Sequence, residues 1–148
     1  MLLMRAYQRL LQALALVLPF PQPRKLIGAG ALRSLPPKMR GSRWRRPLLV
    51  TNQQLLQLQL PQPLLAELDR VGRPCRLFDH VPDNPSLASV EDGLKAYRAG
   101  HCDSLVAVGG GSVIDCAKAI GARAANSWLS CRAMEGLFRV VLPPPPLA

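Results

Sequence analysis

The chain has 148 residues, 49% of them hydrophobic, and a net charge of +10. That length and apolar content fit one small globular domain with a core of useful size, while proline, with 15 residues, is at about double its usual share. No internal repeat is present, and no apolar run is long enough to read as a transmembrane helix, which excludes a solenoid and a simple membrane anchor of that kind.

Residues 1–23 stand apart from the rest. Leu3, Tyr7, Leu10, Leu14 and Val17 recur at helical spacing, and Arg5, Gln8, Arg9 and Gln12 share the other face. The pattern predicts an amphipathic helix ended by Pro19 and packed on its own protein, with docking on a membrane surface as the alternative. A charged start followed by an apolar run has the outline of a secretory signal. No small-x-small cleavage site follows, however, and the run passes straight into Pro19-Phe-Pro-Gln-Pro23. A mitochondrial presequence is disfavoured because the segment has no serine.

Charge is distributed unevenly. Ten Lys or Arg and no Asp or Glu precede Glu67, and eight of the ten lie between Arg24 and Arg46. A cluster such as Arg40, Arg43, Arg45 and Arg46 invites a nucleic-acid reading. Only Trp44 interleaves with it, so the stacking platform of a single-strand binder is missing, and a solvated basic loop is the favoured reading. Positive charge beside a nucleotide pocket would also attract an anionic cofactor.

Beyond Arg46 strands and helices alternate. Pro47 to Thr51 reads as a strand, Pro63 to Val71 as a helix carrying Leu64, Leu65 and Leu68, and Arg76 to Phe78 as a short second strand. Asn84-Pro85-Ser86 opens a helix whose buried stripe is Leu87, Val90, Leu94 and Tyr97 and which Gly100 stops. Ser104 to Val108 is a third strand, apolar enough to be covered on both faces, and Ser112 to Ala125 a third helix. Strands separated by helices of this length pair in parallel through crossovers. The expected fold class is α/β, a Rossmann-like parallel sheet with flanking helices, formed by residues 24–148 as a dinucleotide-binding domain.

Cys75, Cys102, Cys116 and Cys131 show no Cys-x-x-Cys pair or zinc-ribbon spacing. They read as reduced thiols of a cytoplasmic protein. His80 and His101 have no metal-ligand spacing and read as core or solvated histidines.

The most informative stretch is Leu105-Val-Ala-Val-Gly-Gly-Gly-Ser-Val-Ile-Asp-Cys-Ala-Lys118, a strand, three glycines and a helix. Glycines there let a ligand approach the backbone, and the helix N-terminus favours an anion. The spacing matches neither the Gly-x-Gly-x-x-Gly nor the P-loop fingerprint. Ser112-x-x-Asp115 is by itself a capping-box pattern, so a plain helix cap is one reading of that pair.

Gly109-Gly-Gly-Ser-x-x-Asp-x-x-Lys118 resembles the signature of the iron-containing (group III) alcohol dehydrogenases. The likeness extends to Pro23–Pro36, similar to the family's opening strand and turn, to Pro47-Leu-Leu-Val-Thr-Asn52, its second strand, and to Phe78-Asp-His-Val-Pro-Asp-Asn-Pro-Ser86. The tail, Met134-Glu-Gly-Leu-Phe-Arg-Val and Pro143-Pro-Pro-Pro-Leu-Ala148, is similar to the approach to the next nucleotide-contacting strand. The resemblance implies hydride transfer between an alcohol and NAD or NADP, with a divalent metal, iron or zinc, as second cofactor.

It implies that Gly110, Gly111 and Ser112 meet the pyrophosphate, with Gly109 also among the cofactor-binding residues. Asp115 would orient the loop or accept from the nicotinamide ribose, and Lys118 is read as functional or merely solvated. Asn52 stands where many members carry an Asp that holds the ribose hydroxyls of NAD. An uncharged Asn does not repel the extra phosphate, so acceptance of NADP, or of both cofactors, is expected; the alternative is that Asn52 simply begins a turn. The family's Thr-Thr-x-Gly-Thr-Gly-Ser-Glu segment and its helical second domain, which supplies one Asp and three His to the metal, are not in this sequence. The chain is therefore expected to be the cofactor half of an enzyme, with no catalytic or metal-binding residue of its own and negligible activity alone. Its partners would be a dinucleotide, a small alcohol or aldehyde in the full-length protein, and another copy in a homo-oligomer. The alternatives are a non-catalytic nucleotide-binding or interaction module and an unstable remnant.

Overall fold

The computed structural model describes residues 24–26, 30–39, 44–134 and 142–148. The expected amphipathic helix over 1–23 lies outside them, as do Arg40, Arg43 and most of the Met134–Val140 stretch. Strand β1 (Pro47–Val50) is flanked in parallel by β2 (Arg76–Phe78) and β3 (Ser104–Ala107), giving the order β2-β1-β3. The expected α/β parallel sheet is therefore the observed one. The ladder aligns Leu48 with Arg76 and Leu105, and Val50 with Phe78 and Ala107.

Because side chains alternate along a strand, the central strands feed two cores. Leu48, Val50 and Leu105 face one side, together with Phe78. Helices α4 (Leu87–Ala99) and α5 (Gly111–Ala125) pack there through Val90, Val113, Cys116 and Ile120. Leu49 and Val106 face the other side, against helix α1 (Leu35–Met39), helix α3 (Gln62–Arg70) and Trp44, with Leu35, Met39, Leu64 and Leu68 buried. Three layers result. The crossover from β1 to β2 and the return from β2 to β3 run in opposite directions along the sheet, and crossovers of one hand then place their helices on opposite faces.

The elements begin and end close to expectation, and the differences have local causes. Helix α4 is capped by Ser86, whose side chain accepts from Ser89 N–H while Ser89 Oγ accepts from Ser86 N–H. Leu87, expected in the buried stripe, is 45% exposed, because as the first helical residue it lies outside the packed turns. Residues Ala31–Ser34 form a 3-10 turn that runs into α1, where an opening strand and turn were expected. Gly30, at φ +76°, makes the entry, and Pro36 and Pro37 fall in the first turn of α1, where a missing N–H costs little. A short helix α2 (Gln53–Gln57), not foreseen, follows β1.

The tail closes the open side of β3. Leu105 N–H donates to the Pro146 carbonyl at 2.9 Å, and Ala107 N–H to that of Ala148 at 2.7 Å. Leu147 thus sits in a parallel bridge with Leu105, and its carbonyl accepts from Arg24 N–H at 2.9 Å. Buried Asn126, just past α5, holds this tail. Its Oδ1 accepts from Leu142 N–H at 2.8 Å and its Nδ2 donates to the Leu142 carbonyl at 3.2 Å.

Candidate functional site

Topology decides where a ligand can sit. The chain leaves β1 for β2 on one side and returns past β1 to β3 on the other, so the loops leaving the carboxyl ends of β1 and β3 diverge. A crevice opens at such a reversal. Thr51 closes its base: fully buried, it donates from Oγ1 to the Val108 carbonyl at 2.9 Å. Val108 N–H in turn donates to the Val50 carbonyl at 3.0 Å.

The glycine turn forms one wall. A Cβ on Gly109 would lie 2.6 Å from Cγ2 of buried Val113 and 2.8 Å from its Cβ, so only glycine lets the chain fold this tightly onto α5. At Gly110 and Gly111 a Cβ would meet nothing within 4 Å. Their backbone faces open space at the start of a 15-residue helix. Gly110 is the N-cap, and no side chain caps the helix. The first-turn N–H groups therefore have no side-chain acceptor, the arrangement that receives phosphate oxygens at a helix start.

This corrects the capping-box reading of Ser112 and Asp115. The helix starts one residue earlier than expected, so Ser112 lies at the second helical position, beyond the place from which a side chain caps. Its hydroxyl donates instead to the Asp83 carbonyl. Asp115 pairs with Lys118 at 3.2 Å, and both side chains are exposed on α5, pointing away from a direct role at the turn.

Asn52 and the Asp79–Asp83 loop form the other wall. Asn52 caps α2, its Oδ1 accepting from Leu55 N–H at 3.0 Å. Asn52 and His80 form an antiparallel bridge, and Gln53 Nε2 lies 3.2 Å from His80 Nδ1. These residues, with Asp79 and Asp83, line an open cleft of about 490 Å³. The Ser112–Asp83 hydrogen bond joins this cleft to the glycine turn. A second cavity of about 410 Å³ lies beyond the turn, lined by Arg24, Lys25, Leu32, Val108, Gly109 and Lys118.

The structure thus gathers Asn52 and Gly109 to Ser112 at one end of the sheet, with Asp115 one turn away. Sequence reasoning overlooked Thr51, Gln53, Asp79 and Asp83. A signal was available: Thr51 ends one expected strand with Gln53 just beyond it, and Asp79 directly follows another with Asp83 in the same loop, so all four fall at the same sheet end.

Groups suited to acid–base or nucleophilic chemistry are scarce at the crevice. Burial pushes the Cys75 thiol up to about 12 and those of Cys116 and Cys102 to about 11, so all three are protonated at neutral pH. Cys131 is also raised, by burial and by its contact with Glu91. All four are free thiols. His80 stands at the crevice end of the sheet and His101, before β3, at the opposite end. Among the described residues no three His, Cys, Asp or Glu side chains converge to hold a metal ion, so the family's metal does not fit the residues seen here. Trp44 is buried under the Arg24 guanidinium, 5.5 Å from its ring centre, and offers no free face for base stacking. Among the described residues no helix is long and apolar enough to cross a membrane.

Comparison with known proteins agrees with this geometry. The family model for iron-containing alcohol dehydrogenase matches residues 22–147. Lactaldehyde reductase of Escherichia coli K12 is 31% identical over 121 residues, which are 81% of this chain and 32% of that protein. Alcohol dehydrogenase 4 of Schizosaccharomyces pombe is 34% identical over 101 residues, 68% of this chain and 24% of that one. The crystal structure of a 1,3-propanediol oxidoreductase superposes with a TM-score of 0.74 at 32% identity, over 81% of this chain and 31% of that one. The chain therefore spans about a quarter to a third of the length of these relatives. The parallel sheet with its reversed strand order agrees with a family match over nearly all of the chain's length, and that match places this chain in the iron-containing alcohol dehydrogenase family.

Proposed function

We propose that this chain is the NAD(P)-binding part of an oxidoreductase that transfers hydride between a small alcohol and the nicotinamide. The observation that carries the reading is the uncapped glycine turn at the sheet reversal with a cavity on each side of it. A dinucleotide has that shape: two nucleosides joined by a central pyrophosphate. The pyrophosphate lies on the backbone of Gly110, Gly111 and Ser112, where the helix dipole and its N–H groups offset the charge. Gly109 gives the turn its close fit on Val113. Asn52 meets a ribose at the end of β1. Asp115 acts at one remove, on the exposed side of α5, paired with Lys118, whose side chain also lines the far cavity.

The two nucleosides find unlike surroundings. Arg24, Lys25 and Lys118 make the far cavity cationic, which draws in an anionic cofactor. The substrate class follows from relatives named for lactaldehyde, 1,3-propanediol and other alcohols. Free thiols suit a reducing compartment such as the cytoplasm.

Titration of the 148-residue chain with NADH, followed by nicotinamide fluorescence, tests the reading. Saturable binding is expected, and alcohol oxidation with added iron or zinc is not. Absence of binding would overturn the proposal, and turnover by this chain would overturn the assignment of the chemistry to residues outside it.

A further inference from the structure

Asn52 alone points toward NADP, because an amide at the end of β1 does not repel a 2′-phosphate. The charge around it points the other way. Among the described residues, the cleft beside Asn52 is lined by two carboxylates, Asp79 and Asp83, and by His80, with no Lys or Arg. Asp79 is fixed there by the strand pair. Thr51 N–H donates to the Phe78 carbonyl at 2.9 Å, and Asn52 bridges His80, so Asp79 leaves β2 directly beside Asn52. The His80 ring is held by Gln53 at Nδ1 and stands edge-on to Phe78, 6.5 Å between centres. The Asp79 side chain is 22% exposed, and its carboxylate lies 3.7 Å from His80 Nε2, beyond hydrogen-bonding reach. The carboxylate lines the cleft, and the ribose of NAD supplies a pair of hydroxyls as donors for it.

We infer that Asp79 is the specificity-determining residue of this crevice and that it makes the chain prefer NAD over NADP. It takes over, from the end of β2, the discrimination that a carboxylate at the position of Asn52 would exert. A 2′-phosphate would bring about 1.5 to 2 negative charges against Asp79 and Asp83, and among the described residues lining the cleft only the His80 imidazole could offset them. The inference rests on the reading of the crevice as a dinucleotide site.

The test is a pair of titrations, NADH and NADPH, on the full chain and on Asp79→Asn, Asp79→Glu and Asp92→Asn. NADH is expected to bind the parent at least about tenfold more tightly, ~1.4 kcal/mol. Asp79→Asn narrows that gap to about threefold or less, both by tighter NADPH and by weaker NADH, and Asp79→Glu retains it. Asp92→Asn removes an equal charge from α4, where the carboxylate pairs with Lys95 at 2.8 Å, and leaves the gap unchanged. Equal or tighter binding of NADPH by the parent overturns the inference. So does an undiminished gap in an Asp79→Asn variant that melts like the parent. Failure of the parent to bind either cofactor has a different meaning: it removes the dinucleotide reading itself, and this inference with it.

Discussion

Gly93 sits in the interior of α4, where glycine ordinarily weakens a helix by about 1 kcal/mol relative to alanine. Its place is explained by the layer below. A Cβ added there would lie 2.3 Å from Ile120 Cδ1, 2.9 Å from Ile120 Cγ1 and 3.1 Å from Phe78 Cε1. Ile120 is fully buried on α5 and Phe78 is 6% exposed, so neither has free space to swing into. Gly93→Ala must push α4 away from α5. Overpacking of this kind costs about 1–3 kcal/mol. Against a helix-propensity gain of about 1 kcal/mol, the net loss is about 0–2 kcal/mol. For a chain of this size that is a fall in Tm of up to roughly 8 °C. Urea unfolding followed by circular dichroism measures it directly.

Ile120→Val supplies the internal control, because it removes the Cδ1 atom in closest conflict. Alone it costs about 0.5–1.5 kcal/mol. In the Gly93→Ala background it should cost almost nothing, a coupling of about 1 kcal/mol. If Gly93→Ala were as stable as the parent, and Ile120→Val cost the same in both backgrounds, the close approach of α4 and α5 would be refuted. The helix that carries the glycine turn would then not be seated as described.

The remaining expectations concern the turn, one ion pair and the tail. Gly109→Ala forces its Cβ onto Val113 and should lower both stability and NADH affinity, whereas Gly110→Ala, with open space around it, should melt like the parent and lose only affinity; thermal melts and NADH titration separate the two. Glu91 is held below the ordinary glutamate range chiefly by the Cys131 thiol that donates to it, and also by Arg123 at 2.7 Å. A lowered carboxyl stabilises the fold above its ordinary value and loses that contribution as pH falls through the lowered one. The stability gap between the parent and Glu91→Gln should therefore be full above the ordinary glutamate range and close as pH falls below it, as urea melts over falling pH would record. Asn126→Leu strips Leu142 of its partners and should cost about 1–3 kcal/mol, with faster hydrogen exchange at the Leu105 and Ala107 amides as the tail loosens from β3.

Much of this architecture is legible in the residues, and the places where reading stops have physical causes. Leu105-Val-Ala-Val108 announces a strand because burial on both faces requires a continuous apolar run, and β2 is bounded by the turn residues around it. The Ala31–Met39 helical turn is hidden by Pro36 and Pro37, which read as breakers unless their place in a first turn is known. Helix α2 has no long periodicity and exists because Asn52 caps it, a role the residue holds alongside its place in the crevice. The capping-box reading of Ser112 fails by one residue: Ser-x-x-Asp specifies a cap only if the helix begins at Ser, and three glycines let it begin earlier. Glycine spacing locates the anion-binding turn, but Asp79 and His80 come beside Asn52 only through the parallel register of β1 and β2, which no local pattern encodes.

On the proposed reading, the glycine turn at the sheet reversal receives a dinucleotide. Backbone amide shifts of the isotopically labelled chain, followed as NADH is added, test it most directly. The account requires the largest changes at Gly110 to Val113, with further changes at Asn52 and along Asp79 to Asp83, and none at exposed Leu58 or Trp128. Changes concentrated at those exposed residues, or none at the glycine turn, would contradict it.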